Sequence, residues 1–305
     1  MTLFFAISTP TFRSSSNAVT ILLAAGIYIV LAQGMSFVLI SGATDLSAGS
    51  VVGVSGTICA LCMVQFGMPL LPSVLLGLLS GVLCGLLNGF LVTKARLIPF
   101  IATLGTQWVF RGIANILSNG IPVNVRDSSI PNMAESFYTI SAGRVFNIPV
   151  SAYIFVITGL ALTFLLSRTV LGRNLYAVGS NSEAARLSGI NVVKTKMLAY
   201  VICDGMAGLA GIILASRLMS SQPGAGEGYH FEGIFAAVIG GVSLSGGTGT
   251  ILGAIIGAFV VAILRNGLNL NGVGTFWQQV ILGVIILIAV YVDNIRTERQ
   301  LAATK

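Results

Sequence analysis

The chain has 305 residues, 55% of them hydrophobic and only 8% charged, against about 25% charged in an ordinary soluble domain. Its mean hydropathy is +0.95, so lipid rather than water must solvate most of its surface, and a soluble globular fold is excluded. The net charge of +7 would suggest a nucleic-acid partner in a soluble protein, but the basic residues sit in short stretches between apolar runs. That is the distribution of the positive-inside rule, so the expected partner is a lipid bilayer and no nucleic acid.

Crossing the hydrocarbon takes about 20 apolar residues as a helix. In chain order the candidate spans are 18–40, 46–66, 70–92, 100–117, 150–166, 197–216, 233–244, 251–264 and 273–292. The fold class expected is therefore all-α, a polytopic transmembrane helical bundle of about nine to ten segments, in a single domain over residues 1–305. The segments 233–244 and 251–264 are short and glycine-bounded. They read as short spans or as a re-entrant pair buried within protein.

Three connections are rich in Lys and Arg: Lys94 to Arg96, the stretch 168–196, and the tail with Arg296, Arg299 and Lys305. All three are expected on the cytoplasmic side, and from Lys94 onward the crossings alternate consistently. The loops 118–149 and 217–232 then lie outside. Either offers a surface to an extracytoplasmic partner, and the second holds the only histidine, His230. Counting backward from Lys94 puts Arg13 outside. The apolar run 1–8 is too short to span, so the expectation is that most of a first helix is missing, or else that the N-terminus lies outside. No cleaved signal peptide is expected.

Gly77, Gly81, Gly85 and Gly89 recur every fourth residue, as do Gly249, Gly253 and Gly257. On a helix each set makes a smooth groove for a neighbouring backbone, the small-xxx-small face. The glycine-broken stretches 45–51 and 243–248 resemble each other, as paired half-helices of transporters do. Cys59 and Cys62 form a C-x-x-C, but with Cys84 and Cys203 they lie inside apolar runs and read as small buried hydrophobes, not as a metal or redox site. Gly246-Gly247-Thr248-Gly249 is too short for a phosphate-binding fingerprint, and no P-loop pattern occurs. The chain is expected to carry no cofactor and no nucleotide site of its own, and no catalytic constellation is apparent.

The loop 168–196 contains a further helix signal. Ser180 and Glu183 have capping-box spacing, and Gly189 stands where a left-handed C-cap belongs, so a two-turn helix is expected over residues 181–188. A helix this short is stable only when docked. Asp45 lies near a helix start, where the dipole favours an anion, and a capping role is expected. Asp204 lies inside a span, where an acid by default suggests function; no basic residue is close to it in sequence.

Five motifs in order carry a resemblance to a family. Glu183-Ala184-Ala185-Arg186-Leu187-Ser188-Gly189-Ile190 resembles the coupling-helix loop of ribose-type permeases of bacterial ABC sugar importers. Ser41-Gly42-Ala43-Thr44-Asp45-Leu46-Ser47-Ala48-Gly49-Ser50 is similar to that family's S-G-G-I-D-L-S-V-G-S. Pro99-Phe100-Ile101-Ala102-Thr103-Leu104-Gly105-Thr106 with Arg111-Gly112 matches its P-F-I-x-T-L-G-T…R-G. Gly240 to Gly249 matches G-G-x-S-L-x-G-G-x-G, and Asn266-Gly267-Leu268-Asn269 resembles N-G-L-N. The likeness runs from about Thr9 to Asp293. The chain departs from the pattern at Ala43-Thr44, at Asp204, where glycine is common in the family, and in its short start.

The resemblance implies a membrane-spanning subunit that pairs with a second permease chain, as a homo- or heterodimer, in the bacterial inner membrane. It also implies a cytoplasmic ATPase that binds the ATP and a periplasmic binding protein that delivers the sugar. The ATPase contact would be Ser180, Asn181, Glu183, Ala184, Arg186, Leu187 and Gly189. A neutral sugar path calls for amides, hydroxyls and aromatics, for which Gln107, Trp108, Asn115, Asn266 and Gln278 are candidates together with Asp204; each is equally suited to a hydrogen bond between helices. The rival reading is a self-contained ion-coupled secondary transporter, which would need no ATPase.

Overall fold

With no water in the bilayer core, each backbone amide must find its partner inside the chain, which leaves helices as the economical solution. The computed structural model describes residues 2–303, with side chains described except at 286, 289 and 292–303. Lys305 and the side chains of Arg296 and Arg299 thus lie outside the described residues. The helices in order are α1 (Thr2–Ser8), α2 (Ser15–Ile40), α3 (Ala48–Val64), α4 (Leu70–Thr93), α5 (Pro99–Ser118), α6 (Met133–Ala142), α7 (Val150–Arg168), α8 (Val170–Ser180), α9 (Ser182–Leu187), α10 (Val192–Leu218), α11 (Tyr229–Ile239), α12 (Ile251–Leu270) and α13 (Thr275–Ala303). Sheet is confined to two small antiparallel pairs. β1 (Val123–Asn124) pairs with β4 (Ser220–Ser221), and β2 (Arg144–Val145) with β3 (Ile148–Pro149).

Five helices, α2, α4, α7, α10 and α12, are long and apolar enough to cross a membrane. Shorter apolar helices cover Ala48–Val64, Tyr229–Ile239 and Thr275–Ile285. The chain is a polytopic helical membrane protein, and each expected span coincides at least in part with a helix. Two boundaries differ. The segment expected at 233–244 is α11, which starts and ends earlier because Gly240 and Gly241 close it. There the Gly241 amide donates to Val238 O and the Val242 amide to Ala237 O, with Gly241 left-handed at φ +87°. The segment expected at 251–264 continues through Arg265 to Leu270, because Glu232 of α11 pairs with that arginine.

α2 is the hub. Nearly every residue from Ala25 to Ile40 is buried, and the helix packs against α7, α8, α10, α11 and α12. α4 is patterned for lipid: Leu71, Leu75, Leu79, Leu83, Leu87 and Phe90 face outward, while Ser73, Gly77, Gly81, Cys84, Gly85, Asn88 and Gly89 face the protein. The glycine groove is filled by α10. A Cβ on Gly81 would lie 2.6 Å from the carbonyl oxygen of Asp204, and one on Gly85 2.5 Å from that of Tyr200. The second stripe does the same job elsewhere: Gly253 and Gly257 of α12 rest on the backbone of Gly240 and Ala236. The four cysteines are free and buried. The outer loops are joined by the β1–β4 pair and by α6, whose Phe137 and Met133 pack on α3 and α10 beside Ile212 and Ala215.

Replacing Gly85 by Val should force α4 off α10 and cost about 1–3 kcal/mol or more. Thermal denaturation in detergent will show a clearly lowered midpoint for Gly85→Val. Gly105→Ala, where an added Cβ meets nothing within 4 Å, should leave the midpoint unchanged.

Candidate functional site

The loop that the sequence marks as a coupling loop forms a protruding helical step. α8 ends at Ser180, and α9 follows after one extended residue, Asn181, at φ −158° and ψ 103°. The expected capping box does not form. Ser180 is still inside α8, so Asn181 is the N-cap: its Oδ1 accepts from the amides of Glu183 and Ala184 at 3.1 and 3.0 Å. The Glu183 carboxylate turns to Arg186 instead, and that contact holds it below the usual carboxylate range. The pair therefore exists above that range and is lost as pH falls through it; being fully exposed, it adds little stability.

The C-terminus of α9 follows the expectation. Gly189 is left-handed at φ +83°, with its amide donating to Arg186 O and the Ile190 amide to Ala185 O, both at 3.0 Å. This double closure is the Schellman motif. Only Ala185 of α9 is buried, and Glu183, Ala184, Arg186 and Leu187 are exposed, Leu187 to 76%. A rigid helix that holds a leucine and a charge pair away from its own protein is a docking surface in form.

Its mount is a backbone junction. α2 ends with the same Schellman closure, through Gly42 at φ +73°, Leu39 O and Val38 O. The Ile40 carbonyl, orphaned at that helix end, accepts from the Gly247 amide at 2.9 Å. Gly179, next to the start of α9, packs directly on Ile40 O and on the Gly247 amide, and Gly246 packs on Gly42 and Gly179. A side chain at Gly179 or Gly247 would overlap this backbone. Tyr176 Oη adds a hydrogen bond to Gly249 O at 2.7 Å. The end of α2 and the glycine turn after α11 thus meet beneath α9, whereas Gly49 of the 45–51 stretch lies against Gly226 and His230.

The candidate path residues fall in different places. Gln107, Trp108 and Asn115 share one face of α5, with Gln107 half-buried and Trp108 and Asn115 exposed; Asn115 Nδ2 donates to Arg111 O. Arg111, on the adjoining face, donates to Pro223 O and Ala225 O at 2.5 and 2.7 Å, clamping the 222–228 loop onto α5. His230 of that outer loop is buried, its ring against Gly49. Asn266 instead forms a reciprocal amide pair with Asn17 at 3.0 and 2.9 Å, next to Gly267, on which the Phe5 ring of α1 rests. Gln278 is buried and closes its own turn by donating to Val273 O.

Asp204 lies in a fully buried polar network. Asn88 Nδ2 of α4 donates at 2.7 Å both to Asp204 Oδ2 and to Ser47 Oγ, and Asn88 Oδ1 accepts from Thr106 Oγ1 of α5 at 2.6 Å. Asp45 Oδ1 accepts from the amide and the hydroxyl of Ser47, both at 2.8 Å; Ser47 is the N-cap of α3 and makes no side-chain capping bond, so Asp45 holds the residue at the helix start and is not itself the expected cap. The other carboxylate oxygens, Asp45 Oδ2 and Asp204 Oδ1, are buried without a hydrogen-bond partner. Among the described residues, Asp45, Cys203 and Asp204 are the one grouping that places three possible metal-ligand atoms within 4.8 Å of one another. One oxygen of each carboxylate is already held, Asp45 Oδ1 by Ser47 and Asp204 Oδ2 by Asn88. Sequence reasoning missed Asn88 as the partner of Asp204. The available signal was an amide on the packing face of a span, three residues after Gly85.

Residues 17–290 match the family model described as branched-chain amino acid transport system / permease component. The chain is 40% identical to the ribose import permease protein of Bacillus subtilis (strain 168) over 96% of its own length and 89% of the relative's. It is 40% identical to the ribose import permease protein of Escherichia coli (strain K12), over 93% and 88%. To the xylose transport system permease protein of the same E. coli strain it is 33% identical, over 98% and 90%. No solved structure matches.

Asn88→Ala should strand Asp204 Oδ2, at about 1–3 kcal/mol, and take one bond each from Ser47 Oγ and Thr106 Oγ1, which keep Asp45 Oδ1 and Thr103 O. Asp204→Asn keeps an oxygen for Asn88 and should cost much less. Comparing the two melting midpoints in detergent tests this; equal losses would mean the network does not rest on Asn88.

Proposed function

The chain belongs to the branched-chain amino acid transport system / permease component family, and from that premise we infer that it is the membrane-spanning subunit of an ATP-driven importer of a pentose or closely related sugar. The relatives at 40% and 33% identity are named for ribose and xylose, and the alignments cover nearly the whole chain. The observation that carries the mechanism is α9, a short helix capped at both ends and exposed on all but one side chain.

In this reading a separate cytoplasmic ATPase binds ATP and grips α9 through Glu183, Ala184, Arg186 and Leu187. Asn181 and Gly189 keep the helix rigid, and Ser180 joins it to its mount. Displacement of α9 is carried through Gly179 to the ends of α2 and α11, because backbones in direct contact have no side chain to absorb the motion. The exposed face of α5, with Gln107, Trp108 and Asn115, meets a second permease chain and lines the path between the two. An extracytoplasmic binding protein docks on the surface built from the 118–149 loop, α6 and the β1–β4 pair, and the complex sits in the bacterial inner membrane. Asp204, Asn266 and Gln278 hold helices together in this scheme and do not contact the sugar.

Docking and transmission separate experimentally. Glu183→Arg combined with Gly189→Val should abolish co-purification of the ATPase while leaving the amount of chain in the membrane unchanged, since the exposed pair contributes little to the fold. Gly179→Ala should retain the ATPase but lower sugar uptake in proteoliposomes by more than tenfold. ATPase binding and uptake at wild-type levels in the double variant would remove α9 as the coupling element.

A further inference from the structure

A cavity of about 370 Å³ opens between α11, α12 and α13. Glu227 and Gly228 of the outer loop line it, so it opens on the side opposite α9. Its floor is the Glu232–Arg265 ion pair, and its walls carry Tyr229, Phe231, Phe235 and Gln279. Phe231 and Phe235 are stacked, with centroids 5.8 Å apart and planes 15° from parallel.

The ion pair is only half used. Glu232 Oε1 accepts from Arg265 Nη2, but Glu232 Oε2 and Arg265 Nε are buried without a hydrogen-bond partner. Glu232 is only 5% exposed. A pair serving packing alone would have these positions satisfied or replaced by apolar groups, because an unpaired buried polar atom is costly. Here an unpaired acceptor and an unpaired donor belong to two residues that line a cavity large enough for a small ligand.

That chemistry selects the ligand. An anion would meet Glu232 and Glu227, and a cation would meet Arg265, so the site suits a neutral molecule. Adjacent hydroxyls, each both donor and acceptor, match a carboxylate oxygen beside a guanidinium N–H. The stacked phenyl rings offer a flat apolar surface to the C–H face of a sugar ring, and the Gln279 amide adds a third polar contact at the rim. We propose that the α11–α12–α13 cavity is an outward-facing binding station for a monosaccharide, with Glu232 and Arg265 holding a pair of neighbouring hydroxyls. The class of ligand rests on the sugar-import reading, and the site is separate from the α5 face.

The test uses the four native cysteines being buried. Gln279→Cys, at an exposed rim position, is labelled with a maleimide in the detergent-purified chain with its co-purifying subunits, with D-ribose or D-xylose present, and uptake of both is measured in parallel. At least one pentose should slow labelling fivefold or more in a saturable way. Glu232→Gln should raise the half-protecting concentration by about tenfold to a hundredfold, the range for losing a hydrogen bond to a charged group. Should Glu232→Gln fail to accumulate, Phe231→Ala at the exposed rim should produce a rise in the same direction. Uptake of a pentose with no protection of Gln279→Cys by it would overturn the station and leave the import reading standing. Protection without uptake would uphold the station and count against import of that sugar, and absence of both would overturn the station as well.

Discussion

The structure depends on direct backbone contact between helices. In lipid there is no hydrophobic force to bring one apolar helix to another, so association relies on van der Waals contact and on polar groups satisfied inside the protein. Glycine lets two backbones touch. At Gly81 and Gly85 it seats α4 on the carbonyls of α10, and at Gly253 and Gly257 it seats α12 on α11. At Gly179 and Gly247 it lets three chain segments meet with no side chain between them. The leucines of α4 point the other way, into lipid.

The same constraint explains the buried polar groups. Asp45, Ser47, Asn88, Thr106 and Asp204 come from the α2–α3 break and from α4, α5 and α10, and together they satisfy most of one another's hydrogen-bonding capacity. A lone acid at this depth would be costly; an acid that accepts from an amide or a hydroxyl costs less. The Asn17–Asn266 pair and the Arg111 clamp are smaller cases of the same rule, tying α2 to α12 and the 222–228 loop to α5. Glu232 and Arg265 differ because each keeps one buried atom without a partner, and both residues line a cavity.

These packing choices bear on transport. An importer must convert the movement of a soluble motor into a change of helix positions. α9 stands clear of the membrane part, while its base touches the ends of α2 and α11 through backbone alone. α2 in turn is buried among most of the other helices. In the proposed scheme a displacement at α9 would reach the centre of the bundle through these contacts, and the 222–228 loop and the aromatic cavity lie at the other end.

Much of this could be read from the amino acids. Apolar runs placed the spans, Gly189 marked the end of α9, and the four-residue glycine spacing marked the packing faces. These signals are local, because they depend on the residue's own transfer energy and its own φ. Partners came only with the tertiary structure. The cap of α9 moved from Ser180 to Asn181 because Ser180 remained in α8. α12 ran past Arg265 because Glu232, thirty-three residues away, neutralised it. Asp204 found Asn88 across 116 positions of sequence. A lone sequence tells which groups cannot be left facing lipid; which group answers each of them is decided by helix packing, where distance along the chain carries no information about distance in space.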